Sequence, residues 1–175
     1  MTKPETQDPR IEYLPLRQIA PARRNPKRHA DADIQKSIRR FGFVAPMIMN
    51  EATGTLVAGH GRLDALLALR NAGGDPPARI RAVGDDWAVP VLRGVSFESD
   101  AEAEAYLLAD NALVPLGGWD DLTLGEMLAD LGKLDVDLSG LGWDDVELGE
   151  LMAPFEEEDD AGTGGGEDPG PDVDR

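Results

Sequence analysis

One segment constrains the fold more than any other: an apolar run that passes through two glycines directly into a helical pattern. Residues 55–58 are typical of a strand, Gly59 and Gly61 break it, and leucines at helical spacing follow. Such a turn leaves the first N–H groups of the helix unpaired, and the helix dipole favours an anion there. Arg62 can bind a phosphate with two hydrogen bonds, and His60 adds a donor or a group that titrates near neutrality. An ordinary glycine turn with a surface arginine remains the alternative interpretation.

The elements around this turn predict a small α/β domain. Apolar alternation and helical spacing predict strands and helices in mixed order along the first 110 residues. The predicted strands are 11–14, 47–49, 55–58 and 88–92, and the predicted helices are 31–41, a helix from residue 60, and 99–109. Asp31 or Asp33 is expected to cap the first helix, and Ser99 or Asp100 the third. Asp85 and Asp86 are interpreted as part of a loop or as a cap.

Two further polar segments are candidates for the same kind of site. Residues 21–29 combine four Lys or Arg residues with two prolines, which predicts a basic loop able to contact phosphates or a DNA backbone. A solvated loop is the alternative. Asp110 and Asn111 end an apolar helical stretch and offer the hard oxygen ligands that suit Mg²⁺ near a nucleotide. A helix-terminal cap is the alternative for this pair.

Charge is divided unevenly along the chain. Residues 1–97 contain 15 Lys or Arg and 10 Asp or Glu, whereas residues 98–175 contain 2 and 24, for a net charge of −17. This asymmetry suggests a polyanion site in the first half and an acidic appendage in the second. The absence of Cys excludes disulfides, thiolate metal sites and cysteine nucleophiles. No apolar run is long enough to span a bilayer and no secretory signal is visible, so we expect a cytoplasmic protein without membrane partners.

The last third of the chain predicts a helical extension and a tail. Apolar residues at helical spacing over 122–134 and 138–152 predict two helices. The second helix is expected to follow a turn at 140–142, which contains two glycines. Leucine-rich helices of this kind can also pair between copies, which leaves a homodimer possible. The acidic, Gly- and Pro-rich end cannot bury a core and is expected to be disordered. The predicted organisation is a lead-in, a folded domain, a helical extension and a tail, at 1–10, 11–112, 113–153 and 154–175.

Taken in this order, the segments resemble the N-terminal domain of ParB-type partition proteins, which has the ParB/sulfiredoxin fold. The resemblance covers about residues 11–112. It includes the NPKR element at 25–28, the segment from Ser37 to Pro46, and VAGHGRLDA at 57–65, which is similar to the family's GERRxxA box. Asp110 and Asn111 stand where the family has Glu-Asn. The resemblance implies an α/β (α+β) fold, with a small mixed sheet packed with helices and a short C-terminal helical extension.

The resemblance also implies roles for individual residues. The glycine turn would hold the triphosphate of CTP or ATP, and Asp110 and Asn111 would hold Mg²⁺. The residues implied in nucleotide or phosphate binding are Asn25, Arg28, His29, Ser37, Gly59, His60, Gly61 and Arg62. The chain departs from the box, because His60 replaces its Glu and Gly61 its first Arg. NTP hydrolysis is therefore left open, with His60 and Asp64 as candidate catalytic residues.

A closer resemblance is to a phage and mobile-element subgroup, in which GHGR and LADN…GWD recur and the domain is often fused to a DNA methyltransferase. It implies a ParB-like nucleotide-binding module, with Mg²⁺, in the DNA transactions of a phage, plasmid or other mobile element, such as plasmid partition. A DNA nuclease using Asp64 and Asp110 as metal ligands is one alternative. A non-enzymatic adaptor for a DNA methyltransferase or a phage packaging protein, docking through the acidic tail, is another. Sulfiredoxin chemistry is excluded because the chain has no Cys.

Overall fold

The computed structural model describes residues 8–156, which form two compact units. The first comprises residues 8–118 together with 140–142, and the second comprises 119–139 together with 143–156. The predicted lead-in and tail lie mostly outside the described residues. The predicted domain boundaries stay predictions.

A five-stranded mixed sheet forms the centre of the first unit. Its strands are β1 (Arg10–Pro15), β2 (Met47–Asn50), β3 (Thr55–Ala58), β4 (Arg81–Val83) and β5 (Asp86–Val95). The order is β1-β5-β2-β3, and β4 pairs with β5. Strand β5 runs antiparallel to β1 and β4 and parallel to β2, while β2 and β3 form an antiparallel hairpin. The predicted α/β architecture is confirmed, although the sequence pattern did not indicate β4.

Three helices belong to the same unit: α1 (Asp31–Phe41), α2 (His60–Asn71) and α3 (Asp100–Leu113). Helix α2 buries Leu63, Leu66 and Leu69, which recur every three residues and so lie on one face. Full burial of each leucine contributes about 1.5–3 kcal/mol. The helix that begins at the glycine turn is therefore anchored in the hydrophobic core.

The helix ends follow the expected capping in one case and depart from it in another. Ser99 caps α3 as predicted, because its hydroxyl accepts the N–H of Glu102 at 3.2 Å. The expectation for α1 is wrong, since Ala30 occupies the N-cap position. Asp31 and Asp33 lie in the first turn instead, where their negative charges interact favourably with the helix dipole.

Asp86 was interpreted as part of a loop or as a cap, and the structure places it in a strand instead. It is the first residue of β5, and only 3% of its surface is exposed. Its carboxylate accepts the N–H groups of Trp87 at 2.9 Å and Arg17 at 3.2 Å, and it pairs with the guanidinium of Arg70. Burial acts to raise the pKa of Asp86, but these donors outweigh it and the pKa lies below its ordinary value. The residue is thus a buried anchor between β5 and α2.

The second unit consists of α4 (Asp121–Lys133) and α5 (Asp145–Glu156), which confirms two helices in this part of the chain. They approach so closely that a Cβ at Gly125 would lie 2.2 Å from the carbonyl oxygen of Leu151. Helix α5 begins later than the leucine pattern suggested and continues to 156, into the segment assigned to the tail. Among the described helices, none has both the length and the apolar character needed to cross a bilayer.

Candidate functional site

The predicted turn between β3 and α2 is formed at Gly59. Its φ is +100°, and α2 begins at the next residue. A side chain at Gly59 would be strained at this φ, and its Cβ would also lie 3.0 Å from Cγ of Met47. Within residues 8–156, no side chain caps the helix. The first N–H groups of α2 thus have no side-chain cap from the described residues, although His60 and Gly61 at this end of the helix are buried.

The guanidinium of Arg62 lies over this turn. Its Nη2 atom is 3.2 Å from the position that a Cβ on Gly59 would occupy. Burial lowers the pKa of Arg62, and the charge of Asp110 opposes that shift. Among the described residues, the Arg62 side chain has no hydrogen-bond or ion-pair partner. A partly desolvated guanidinium of this kind is suited to a phosphate, which can accept two parallel N–H bonds.

His60 is hydrogen-bonded through its ring to the basic loop. Its side chain is buried, and Nε2 accepts the backbone N–H of Ala22 at 3.0 Å. Nε2 is therefore unprotonated, and in the neutral ring the proton resides on Nδ1. Burial lowers the pKa of His60, and the nearby His29 lowers it further, whereas Asp64 acts to raise it. This hydrogen bond gives His60 a positioning role, and its catalytic role stays a prediction.

His29 packs directly against the start of α2. A Cβ on Gly61 would lie 2.7 Å from Cγ of His29 and 2.9 Å from Cδ1 of Ile34, so only glycine fits beneath them. The His29 ring also contacts Asn25, with Nε2 and Nδ2 separated by 3.4 Å. Asn25 in turn accepts the N–H of Lys27 at 3.1 Å. Of the loop residues that the resemblance singles out, His29 thus contacts the glycine turn and Asn25 contacts His29.

An ion pair joins the basic loop to α3. Arg24 Nε donates to Glu104 Oε1 at 3.1 Å, and a second contact links Nη2 with the other carboxylate oxygen. The hydrogen bond from Arg24 holds the pKa of Glu104 below its ordinary value. Both side chains are exposed, so the pair bridges the loop and the helix at the surface.

A cavity of about 480 Å³ lies between the basic loop, β3 and α3, and an adjoining one of about 510 Å³ lies between the basic loop and α3. This size is within the range of small-molecule sites, about 300–1,000 Å³. The lining of the first cavity includes apolar Val57 and Leu107 and polar Asn50, Thr53 and Thr55, and its charged residues are Arg23, Arg24, Asp100 and Glu104. The glycine turn itself does not line these cavities. The cavity of about 480 Å³ comes near the turn at Val57, which is two residues before Gly59.

Asp110 and Asn111 lie within α3 rather than at its end. The charge of Asp110 influences the pKa of Arg62 and helps to raise that of Tyr106, which burial raises first, so α3 brings this carboxylate close to the turn. Asn111 Nδ2 donates to the carbonyl of Leu107 at 2.8 Å. Its Oδ1 is a possible metal ligand. A carboxylate and an amide oxygen fit Mg²⁺ that is also held by phosphate, because this ion commonly takes one or two protein ligands.

Three candidate residues from the sequence remain: Arg28, Ser37 and Asp64. Arg28 is exposed in the basic loop, and Asp64 is exposed on α2. Ser37 is half-buried on α1, one turn beyond Ile34, which touches the turn. The proposed roles of these residues stay predictions.

Sequence reasoning missed two residues at the site. Glu104 was not singled out, although α3 contains no Lys or Arg that would pair with it and the basic loop does. Asn50 was assigned to a turn, and its Oδ1 does accept the N–H of Ala52 at 3.1 Å. Asn50 is also only 2% exposed and lines the cavity of about 480 Å³. No local sequence pattern indicates this position.

No protein-family model and no curated protein matches the chain. Among solved structures, it is similar to the C-terminally truncated chromosome-partitioning protein ParB from Caulobacter crescentus complexed with CTP-gamma-S. The TM-score is 0.55 at 17% identity, over 81% of this chain and 76% of that one. A Pnob8-like ParB-N domain matches with a TM-score of 0.41 and 18% identity, over 73% of this chain and 48% of that one.

The chain therefore has a small mixed α/β fold in which a glycine turn joins β3 to α2. This is a ParB-like fold, as the sequence resemblance predicted. The resemblance to a phage and methyltransferase-associated subgroup stays a prediction.

Proposed function

We propose that the chain is a ParB-like nucleotide-binding module that holds CTP or ATP with Mg²⁺ and acts in the DNA transactions of a phage, plasmid or other mobile element. The observation that carries the proposal is Arg62, whose partly buried guanidinium lies over a glycine turn at a helix N-terminus and has no hydrogen-bond or ion-pair partner among the described residues. The similar ParB structure is complexed with CTP-gamma-S, which supports a nucleoside triphosphate as the ligand class.

In this proposal the triphosphate binds at the turn. The first N–H groups of α2 and the Arg62 guanidinium supply hydrogen bonds to phosphate oxygens, and the exposed Arg28 adds positive charge. Asp110 and Asn111 hold Mg²⁺ from α3, on the side where the Asp110 charge already acts on Arg62. The nucleoside occupies the adjoining cavity between β3 and α3.

The geometry favours binding over cleavage of DNA or hydrolysis of the nucleotide. His60, the candidate base, is hydrogen-bonded to Ala22. Within residues 8–156, no group of three or more His, Asp or Glu side chains is arranged to hold a metal ion. A nuclease needs convergent ligands for a metal-bound water, and for this reason we rank the nuclease alternative lower.

The first experiment is a thermal-shift panel with CTP, ATP, GTP and UTP in the presence of Mg²⁺, followed by calorimetry on the best ligand. A specific ligand at about 100 times its Kd stabilises the folded state by about 2.7 kcal/mol, which a thermal shift detects readily. Arg62→Ala should then weaken binding by about 10- to 100-fold, because it removes charge-assisted hydrogen bonds. The affinity of Arg62→Lys should lie between those of the wild type and Arg62→Ala.

Arg39→Ala is the matched control, since Arg39 is an exposed cation on α1. It should leave the Kd unchanged. The proposal fails if no nucleotide raises Tm, or if Arg62→Ala binds as tightly as the Arg39 variant does.

A further inference from the structure

A groove of about 570 Å³ lies on the second unit, between α4 and α5. Apolar side chains and carboxylates line it together. The apolar lining is Leu122, Trp143, Leu151, Pro154 and Phe155, and the acidic lining is Asp121, Glu147 and Glu150. Five of the eight lining residues are thus apolar and three are carboxylates.

Large apolar side chains are exposed at and beside this groove. Leu122 on α4 is 69% exposed, and so is Trp119, whose ring packs edge-on against Trp143 at a centroid distance of 5.4 Å. Contiguous exposed apolar patches rimmed by polar groups mark interaction surfaces.

The charge around the groove selects the chemistry of the partner. Residues 119–155 contain ten Asp or Glu residues and a single Lys. Such a surface attracts a cationic partner and repels a like-charged one. The same groove of a second copy would bring acidic side chains together. The chain's own basic loop is tied to α2 and α3 by the His60 and Glu104 contacts.

We propose that this groove binds a cationic amphipathic helix of another protein. Apolar side chains spaced at i, i+3, i+4 and i+7 would pack against Leu122, Trp143 and Leu151, and flanking Lys or Arg residues would pair with the carboxylates. The groove is lined by residues of the second unit alone and includes no residue of the proposed nucleotide site, so the inference does not rest on the proposed function.

The probe is a fluorescein-labelled synthetic helix of about four turns, with Leu at helical spacing and Lys elsewhere. Fluorescence anisotropy measures its affinity for the full chain without nucleotide. Two control peptides have the same length: one scrambles the Leu spacing, and the other replaces Lys with Glu. The Lys peptide should bind saturably and more weakly as ionic strength rises. Equal binding of the scrambled peptide would overturn the proposal.

Paired variants locate the binding to the groove. Leu122→Ser should weaken it by about tenfold through lost apolar burial, and Glu150→Lys by about threefold to tenfold through charge reversal. Met127→Ser and Asp130→Lys, also exposed on α4 but outside the groove lining, serve as matched controls. If Asp130→Lys weakens binding as much as Glu150→Lys, or Leu122→Ser changes nothing, attraction to diffuse charge replaces the proposal.

Sedimentation of the free chain tests the remaining occupant. A monomer at the concentrations used supports a foreign helix. A dimer that Leu122→Ser converts to monomer would show that a second copy fills the groove, and would overturn the proposal.

Discussion

Gly61→Ala tests whether the basic loop is packed onto the start of α2 as the structure describes. The new Cβ would lie 2.7 Å from Cγ and 2.8 Å from Nδ1 of His29, and 2.9 Å from Cδ1 of Ile34. Ordinary contacts at a Cβ are at least 3.4 Å. His29 must therefore move by more than half an ångström, or the loop must lift from the helix.

Two opposing effects set the magnitude. Overpacking of this kind costs about 1–3 kcal/mol, whereas Ala in place of Gly in a helix contributes about 0.5–1 kcal/mol. Gly149→Ala on α5 isolates the second effect, because nothing lies within 4 Å of its added Cβ. Gly149→Ala should therefore stabilise slightly, and Gly61→Ala should be less stable than it by about 1–3 kcal/mol.

Urea unfolding followed by circular dichroism measures both free energies, and a double-mutant cycle assigns the cause. In a His29→Ala background, Gly61→Ala should cost at least about 1 kcal/mol less, since the shortest contacts are to His29. Equal costs in the two backgrounds would refute this packing. Gly61→Ala should also weaken nucleotide binding, because the loop is displaced.

Three further perturbations test other parts of the molecule. Acidification from about pH 7.5 to about 5 should lower Tm, because burial holds the pKa of His60 below its unfolded value of 6.5, so that below this pH the unfolded state binds the proton more tightly. His60→Gln, which keeps an acceptor for Ala22, should flatten that profile, and an unchanged slope would exclude His60 as its source. Asp86→Asn should lower the free energy of urea unfolding by about 3 kcal/mol, because it leaves Arg70 without its buried counter-ion; a loss below 1 kcal/mol would contradict the pairing. Gly125→Ala should separate α4 from α5 and reduce helical circular dichroism, while nucleotide affinity stays unchanged; preserved helicity with the same stability would show that the close approach is not obligatory.

Sequence patterns predicted elements whose causes are local. Helix α1 has the predicted bounds, because its apolar spacing and the following Gly42 with φ of +75° are encoded within a dozen residues. The β3–α2 turn was predicted for the same reason, since Gly59 tolerates a backbone conformation that other residues resist. Ser99 announced the start of α3 through its spacing to Glu102.

The rest depended on contacts between distant segments. Asp86 resembles a loop residue until Arg70, sixteen positions earlier, is placed beside it by the packing of α2 on the sheet. The Arg24–Glu104 pair spans 80 positions. His60 is a residue type that often binds ligands, and it stands in a glycine turn. In the fold, however, its Nε2 accepts the backbone N–H of Ala22. Residue types predicted where the candidate site lies, and tertiary packing decided which side chains face it.

The basic loop is fastened at three separate points in the free protein: at Ala22 by His60, at Arg24 by Glu104, and at His29 by its contact with Gly61. A loop fastened in this way has already lost its conformational freedom, so ligand binding requires little further ordering. Association should then be a single step, with an observed rate that rises linearly with nucleotide concentration and shows no plateau.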